Sequence, residues 1–527
     1  MKINFENKFV CAIIKMRYNM FSKISSFGLI GLKGYKIDVE VDLNTGLPSY
    51  DIVGLPDTAV KESKERVRSA IKNSGFKFPA NKITVNLAPA NVKKAGPNFD
   101  LPIAVAILVS SGQIVGDKHT DFVFLGELGL NGKLKPITGI LPALISARSE
   151  GFKNFVIPKE NEIEASYIDG IDVFACDSLS EVVSFLNRVI QIVPVEKRVW
   201  NTEESDKITE DFARVKGQKI AKRAIEIAVA GGHNILMVGP PGAGKTMIAR
   251  CIPSVMPDLT FDEALEITKI HSIAGELDLK KGVISSRPFR SPHHTASTVA
   301  LVGGGREAKP GEVSLASDGV LFLDELPEYS RTSLETLRQP LEDGIVTVSR
   351  ASGTYEYPAN FMLVASMNPC PCGNYGSKEL TCTCSPSAIQ NYLKRLSGPL
   401  LDRIDLKIDV ERVAFEEITN KSLEESSAEI KKRVDKAREL QVERFKGTKI
   451  HTNAKMNSKM ISEHCKLDAE SENLMKIAFE RFHISARGYT RILKVARTIA
   501  DLDGSKEILS KHLTEALAYR NIDKFQM

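Results

Sequence analysis

The chain has 527 residues, 43% of them hydrophobic, which is enough for roughly two to four domains with cores of their own. Its 71 basic and 66 acidic residues leave a net charge of +5, which permits a nucleic-acid partner but does not argue for one. No run approaches the ~20 apolar residues of a membrane-spanning helix, which excludes that class.

At the start, the apolar patch Phe9 to Ile14 is too short for a signal sequence and no small-residue cleavage site follows it. Residues 1–20 therefore read as an extension, and the expected compartment is the cytoplasm. Residues 21–190 read as one α/β unit. The strand-like "YKIDVEVDL" and "KITVNLA" alternate with the helical "TAVKESKERVRSAIKNSG", each closed by Gly or Pro. "AGPNFDLPIAVAILVSSG", Ala95 to Gly112, is a Gly-Pro turn running into an apolar helix. It presents Asn98 at the helix start, where a serine would be a candidate nucleophile. Residues 191–213 are polar and charged, contain Trp200, and read as a linker. A second α/β unit spans 214–410. Residues 411–527 read as helical, with "LEESSAEIKKRVDKARELQVERF" as a charged amphipathic helix.

The second unit opens with "NILMVGPPGAGKTMIAR", a strand, a Gly-rich loop and a helix start matching G-x-x-x-x-G-K-[ST]. In Gly239, Pro240, Pro241, Gly242, Ala243, Gly244, Lys245 and Thr246, the glycines let backbone N–H groups face phosphate oxygens. The helix N-terminus adds its dipole. Lys245 is placed to reach β- and γ-phosphates and Thr246 to ligate Mg²⁺, so ATP and Mg²⁺ are the expected ligands. In "GVLFLDELPEYS", Val320 to Leu323 form a buried parallel strand. Asp324 and Glu325 stand at its C-terminal end, where α/β sheets bind ligands. Asp324 suits Mg²⁺, and Glu325 suits the orientation of an attacking water. A third strand, "FMLVASMNP", ends in Asn368, whose amide can hold that water and sense the γ-phosphate. Strands ending in Lys/Thr, Asp-Glu and Asn resemble an AAA+ ATPase. That resemblance makes Arg403 in "LSGPLLDRIDLKI" an arginine finger acting on a neighbouring subunit, with an intrasubunit salt bridge as the plainer alternative. It places the lid's sensor arginine on the face of "ISARGYTRILKVARTIADLDG" that carries Arg487, Arg491 and Lys494, with Arg487 preferred. In that segment Ser485 reads as an N-cap, and Tyr489, Ile492, Leu493, Ala496 and Ile499 form the apolar stripe. Lys494 and Arg497 are expected on a solvated basic face.

Between the phosphate loop and Asp324, "SSRPFRSPHHTASTVALVGGGREAKPGE" leaves room for an insert. It is locally basic through Arg287, Arg290, His293, His294 and Arg306, with Gly303 to Gly305 as a flexible tip. "EDGIVTVSRASGTYEYPANF" reads as a β-hairpin turning at Ser352-Gly353, with Arg350 near its tip. A ring of such arginines would track a phosphate backbone. A hairpin that only packs subunits together is the alternative. Four of the eight cysteines, Cys370, Cys372, Cys382 and Cys384, form two C-x-C pairs. Four thiolates can close a tetrahedral Zn²⁺ site. The spacing is tighter than the usual C-x₂-C, so free thiols and redox chemistry stand as the other readings.

"GPPGAGKT", "RPFRSPHHTAS", "LFLDELPE", "SMNPCPCG", "LSGPLLDRIDL" and "SARGYTRILKVARTIADLDG" together resemble the ComM/YifB family of magnesium-chelatase-like AAA+ ATPases, over about residues 21–520. The resemblance implies an α/β chain: a Lon-protease-like amino-terminal domain, then a P-loop AAA+ αβα core with a helix-2 insert, then an α-helical lid. The Lon nucleophile lies in a G-P-S-A-G turn, whereas here the turn is Gly96, Pro97, Asn98, Phe99, Asp100. Leu141 in "KPITGILPALISA" stands where the Lon lysine follows. Both halves of a Ser–Lys dyad are absent, so the domain is expected to be non-catalytic and to bind DNA or a partner, or to organise a ring. The resemblance implies a hexameric, ATP-driven homo-oligomer acting on DNA, in branch migration or remodelling of recombination intermediates and in natural transformation. A chelatase-type motor that remodels a protein partner for metal insertion is the second reading. The Lon-like domain weighs against it, since chelatase motor subunits lack one. A binding scaffold with an idle ATPase is disfavoured by the full set of motifs.

Overall fold

The structure, a computed structural model, describes residues 20–520 apart from 202–209, 306–307, 351–352, 378–379, 420–421, 423 and 483. Nearly all of the amino-terminal extension, Arg306 of the basic insert and Ser352 of the hairpin turn lie outside the described residues. The chain forms two compact units. One takes in the described residues of Met1–Asn201 with Ala264–Ile284 and Ser349–Tyr355, and the other takes in the remainder.

The first unit is built on a seven-stranded sheet in the order β3-β4-β2-β1-β5-β8-β9. Its strands are β1 (Phe21–Ile30), β2 (Lys33–Asn44), β3 (Ser49–Val53), β4 (Lys82–Ala88), β5 (Phe122–Phe124), β8 (Asn154–Pro158) and β9 (Asp172–Cys176). A short antiparallel pair, β6 (Glu127–Leu128) and β7 (Leu134–Lys135), stands apart from it. β1, β2 and β4 pair antiparallel, and the β5 side is parallel. On β2, Ile37, Val39, Val41 and Leu43 are buried and alternate with Lys36, Asp38, Glu40 and Asp42, the period-two pattern of a half-buried strand. Successive residues feed opposite faces. Phe124 and Val156 join one apolar cluster, while Val123, Phe155 and Ile157 join the other. Helix α1 (Thr58–Asn73) is capped by Asp57, whose carboxylate accepts from Val60 N at 2.8 Å. Helix α2 (Asp100–Ser110) is buried along its whole length, as a helix apolar all round must be. Helices α3 (Ile140–Ser149) and α4 (Leu179–Leu186) complete the layers.

The second unit holds a five-stranded sheet in the order β11-β14-β17-β10-β18, parallel throughout. These strands are β10 (Ile235–Val238), β11 (Phe289–Arg290), β14 (Val320–Leu323), β17 (Met362–Met367) and β18 (Leu406–Asp409). Every residue of β10, β14 and β17 is buried, which is why they read as unbroken apolar runs. Helix α5 (Lys219–Gly231) leads into β10, and α6 (Lys245–Cys251) leaves it. The chain then runs by way of α7 (Phe261–Ala274) to the far edge and works back to β17, before β18 adds on the other side of β10. β10 is therefore the switch strand, and a crevice opens at its C-terminal end. Of the three glycines expected to form a flexible tip, Gly303 and Gly304 are held in a paired strand. β12 (Gly303–Gly304) pairs with β13 (Lys309–Pro310), and a Cβ on Gly303 would come within 2.6 Å of Lys309 O. Helix α8 (Arg338–Asp343) precedes the hairpin β15 (Ile345–Arg350) and β16 (Gly353–Pro358). Val346, Val348 and Tyr357 bury its base, and the Tyr357 hydroxyl donates to Ala308 O at 2.7 Å.

The helical end contains α9 (Ser427–Arg444), α10 (Ala469–Arg481), α11 (Ala486–Leu502) and α12 (Ser510–Ala518). α9 starts in a Ser426/Glu429 capping box and buries Ile430, Val434, Ala437 and Gln441. Ser485 caps α11, accepting from Gly488 N at 3.0 Å, and Ile492, Leu493, Ala496 and Ile499 are buried while Tyr489 stays partly exposed. Lys494 and Arg497 are not on a solvated face. Arg497 is 2% exposed and pairs with Asp501 at 3.1 Å, and Lys494 donates to Ala454 O at 2.8 Å. α11 packs against α5, α9 and α12, so little of its later half meets water. No helix among the described residues is long and apolar enough to cross a membrane.

Candidate active site

The crevice at the end of β10 is floored by the phosphate loop. Gly242 (φ +79°) and Gly244 (φ +86°) adopt left-handed backbone, yet a Cβ on either would meet nothing within 4 Å. Conformation, not crowding, requires glycine there, and the space above the loop is open. Gly239 has the other reason, because a Cβ there would collide with the Val410 carbonyl. Lys245 is buried, and its ammonium donates to Gly239 O at 2.6 Å, Pro240 O at 3.0 Å and Asn368 Oδ1 at 3.2 Å. Burial pulls its pKa down, against the pull of Asp324 and Glu325. An ammonium satisfied by neutral carbonyl oxygens, beside a glycine loop with open space around Gly242 and Gly244, fits a phosphate.

Three neighbouring strand ends converge on this point. Thr246 Oγ1 donates to Asp324 Oδ2 at 2.9 Å. The other carboxylate oxygen of Asp324 accepts from Glu325 N at 3.1 Å and from the Ser366 hydroxyl of β17. A hydroxyl and a carboxylate in contact beside the phosphate loop fit Mg²⁺. Glu325 has φ +52°, unusual for a residue with a side chain, and its carboxylate is 56% exposed. His294 Nδ1 lies 3.7 Å from it, and the His293 ring lies against that of His294, tilted by 34° with centroids 4.0 Å apart. The sequence reading missed Ser366; it named His294 with His293, for backbone and nucleotide contacts rather than metal, but did not tie it to Glu325. The serine two residues before Asn368 in "VASMN" was the available signal for Ser366.

The arginines are arranged differently. Arg403 is buried, forms an ion pair with Glu342 of α8 and donates to Pro399 O at 2.7 Å. Arg487 is 66% exposed and lies 3.8 Å from the same Glu342. Among the described residues, no hydrogen bond or ion pair joins either arginine to Lys245, Thr246, Asp324, Glu325 or Asn368. Arg395 is exposed and pairs with Glu328 at 2.8 Å. Arg287 donates to Pro257 O at 2.6 Å and Asp318 O at 2.7 Å, and Arg290 pairs with Glu312 at 2.6 Å, so these two arginines of the basic insert are engaged within the chain. Arg491 and Asp405, not singled out from sequence as a pair, join β18 to α11. Burial pushes the Asp405 carboxyl up, but Arg491, His233 and the Asn234 N–H outweigh it and hold it well below the usual range.

The four clustered cysteines come together, with their sulfurs all within 4.8 Å of one another. In the first unit, Asn98 sits half-buried in the turn Pro97–Phe99, and Leu141 of α3 is fully buried. Asp100 of that turn pairs with Arg66 at 2.8 Å, and burial raises its carboxyl to about 6.

A five-stranded parallel sheet with a phosphate loop on its switch strand, an Asp-Glu strand end beside it and a helical domain after it defines an AAA+ module. Residues 211–418 match the family model described as magnesium chelatase, subunit ChlI. Residues 39–161 match subunit ChlI of Mg-chelatase, and residues 424–520 match the ChlI C-terminal model. Competence protein ComM of Haemophilus influenzae is 45% identical over 496 residues, covering 93% of this chain and 96% of that protein. YifB of Escherichia coli is 44% identical over 497 residues, covering 94% and 96%. Lon protease 2 of Bacillus subtilis is 28% identical over 166 residues, 30% of this chain and 29% of that protein. The chain belongs to the ComM/YifB family of magnesium-chelatase-type AAA+ proteins, and AAA+ proteins of this kind are ATPases in general.

Proposed function

We propose that this chain is an ATP-hydrolysing motor that acts on DNA as a hexameric ring. The meeting of Lys245, Thr246, Asp324 and Asn368 across adjacent strand ends carries the ATPase reading. Lys245 would exchange its carbonyl partners for β- and γ-phosphate oxygens, a charge-assisted gain. Thr246 and Asp324 would hold Mg²⁺, which offsets phosphate charge. Glu325 would orient the attacking water, and Asn368 would hold that water and sense the γ-phosphate. Arg403, acting in trans, and Arg487 of the lid would add positive charge once they leave Glu342. The four cysteines would hold a structural Zn²⁺.

The DNA part is supported by the name of the Haemophilus relative, a competence protein, and by Arg350, exposed near the end of β15. Branch migration or remodelling of recombination intermediates is the activity we assign. The matches to chelatase subunit models favour a second reading, a motor that remodels a protein for metal insertion. The amino-terminal domain no longer separates the two, because residues 39–161 also match a model described as ChlI. ATPase turnover measured with no DNA, single strands, duplex and four-way junctions decides between them. Stimulation by DNA, greatest on a junction, is expected. Turnover indifferent to all three DNAs would leave the protein-remodelling reading.

A further inference from the structure

Cys370 stands two residues beyond Asn368, the amide that Lys245 touches. Its sulfur lies 3.4 Å from that of Cys372 and 3.7 Å from that of Cys382, and Cys372 and Cys382 are 3.6 Å apart. A disulfide would need about 2.0 Å. A tetrahedron of thiolates with bonds of about 2.3 Å to zinc has edges of about 3.8 Å, close to the distances observed. Backbone N–H groups are turned onto the sulfurs, from Cys372 to Cys384 Sγ at 3.4 Å and from Tyr375 to Cys370 Sγ at 3.3 Å. Such donors are what thiolate charge on a metal calls for. The described residues between Cys370 and Cys384 contain turns and bends but no helix or strand, so a bound metal would be the main source of order there.

The same loop lies against the phosphate loop. Gly373 has φ +83°, and a Cβ on it would come within 2.5 Å of the Pro241 ring. Gly239, Pro240, Gly373, Tyr375, Asp409 and Arg412 line one cavity of about 150 Å³. The loop that carries the cysteines is thus also a wall beside the nucleotide cradle.

We propose that one Zn²⁺ held by Cys370, Cys372, Cys382 and Cys384 braces the phosphate loop through Gly373 and Asn368, so that nucleoside triphosphate affinity depends on the metal. The proposal rests on the reading of this crevice as an ATP site. Without the metal the loop loses its closure, Pro241 its backing and Lys245 a fixed partner in Asn368.

The test uses the full-length chain, its zinc content by mass spectrometry and its affinity for a fluorescent non-hydrolysable ATP analogue. One zinc per chain is expected. Stripping it with a mercurial and chelator should weaken nucleotide binding at least about fivefold, the range of ordinary site-to-site coupling. Returning Zn²⁺ to the regenerated thiols should restore binding. Cys382→Ser should lose both zinc and affinity, without rescue. Gly373→Ala should keep its zinc yet bind nucleotide more weakly, which covers the case in which Cys382→Ser fails to fold. Substoichiometric zinc that cannot be raised by added Zn²⁺, or full zinc whose removal leaves affinity unchanged, overturns the brace while leaving the ATP site standing. Wild-type protein with full zinc and no nucleotide binding overturns the ATP-site reading itself, and the brace with it.

Discussion

At the scale of single residues, two carboxylates carry opposite consequences. Glu325 is held at φ +52° with its carboxylate exposed beside His294, a backbone conformation that costs energy. Glu325→Gln should therefore fold and bind ATP as before but hydrolyse it at least ~10²-fold more slowly, since an amide cannot act as a general base. Single-turnover hydrolysis beside nucleotide binding checks this, and near-normal turnover would remove Glu325 from the role. Glu164 is buried, accepting from Asn161 Nδ2 at 2.7 Å and Ser272 Oγ at 3.3 Å, and burial raises its carboxyl to about 7. A raised acid binds more protons folded than unfolded, so stability falls as pH climbs from about 4.5 to about 7. Glu164→Gln should raise the melting temperature at pH 8, by a gain on the order of 2 kcal/mol, and give almost no gain at pH ~4, below the unfolded value. A gain equal at both pH values would contradict the burial penalty.

At the scale of elements, the end of β18 and the helix α11 are held together by the Arg491–Asp405 pair, with Asp405 6% exposed. Removing the guanidinium leaves a buried carboxylate with fewer partners. Arg491→Ala should cost about 3–5 kcal/mol in denaturant titration at pH 7. The folded pKa of Asp405 is depressed, so the pair's contribution is present above the unfolded value of about 3.9 and is lost as pH falls through the acid range. The gap between wild type and Arg491→Ala should accordingly narrow below pH ~4. Lys494, on the same helix, is lowered to about 8 by burial, as an element covered on most sides requires.

At the scale of the whole molecule, Arg403 and Arg487 both meet Glu342 within one chain. If Arg403 serves a neighbour, an Arg403→Ala protomer and a Lys245→Ala protomer should each be nearly inactive alone. Mixed, they should regain ATPase activity at concentrations that allow assembly, because some interfaces then join an intact loop to an intact finger. Mixed rings that stay inactive would turn attention to Arg395, which is 53% exposed. The first unit has a different expectation. Half-buried Asn98 and fully buried Leu141 supply neither nucleophile nor base, so casein and fluorogenic peptides should not be cleaved. Cleavage abolished by a substitution within residues 90–145 would overturn that view.

The phosphate loop was legible in the sequence because its chemistry is local. Its glycines, lysine and threonine lie within eight residues, and left-handed backbone at Gly242 and Gly244 needs only those glycines. The apolar runs that became β10, β14 and β17 were legible for a similar reason, since a strand buried on both faces admits almost no polar residue. The N-cap Ser485 and the stripe of α11 follow from helical periodicity. What the sequence left open was decided by strand order and packing. Asp324 gains Ser366, on the neighbouring strand, as one partner, and Asp405 gains Arg491, 86 positions away. The burial of Arg403 against Glu342, and of Lys494 and Arg497 inside the helical end, depends on which elements cover them, and no periodicity records that. The cysteines show the same division: their spacing allowed three chemistries, and only the folded loop brought four sulfurs within 4.8 Å of one another. Local patterns specify backbone conformation and which face is apolar, whereas the pairing of charges and thiols far apart in the chain is a property of the tertiary contacts.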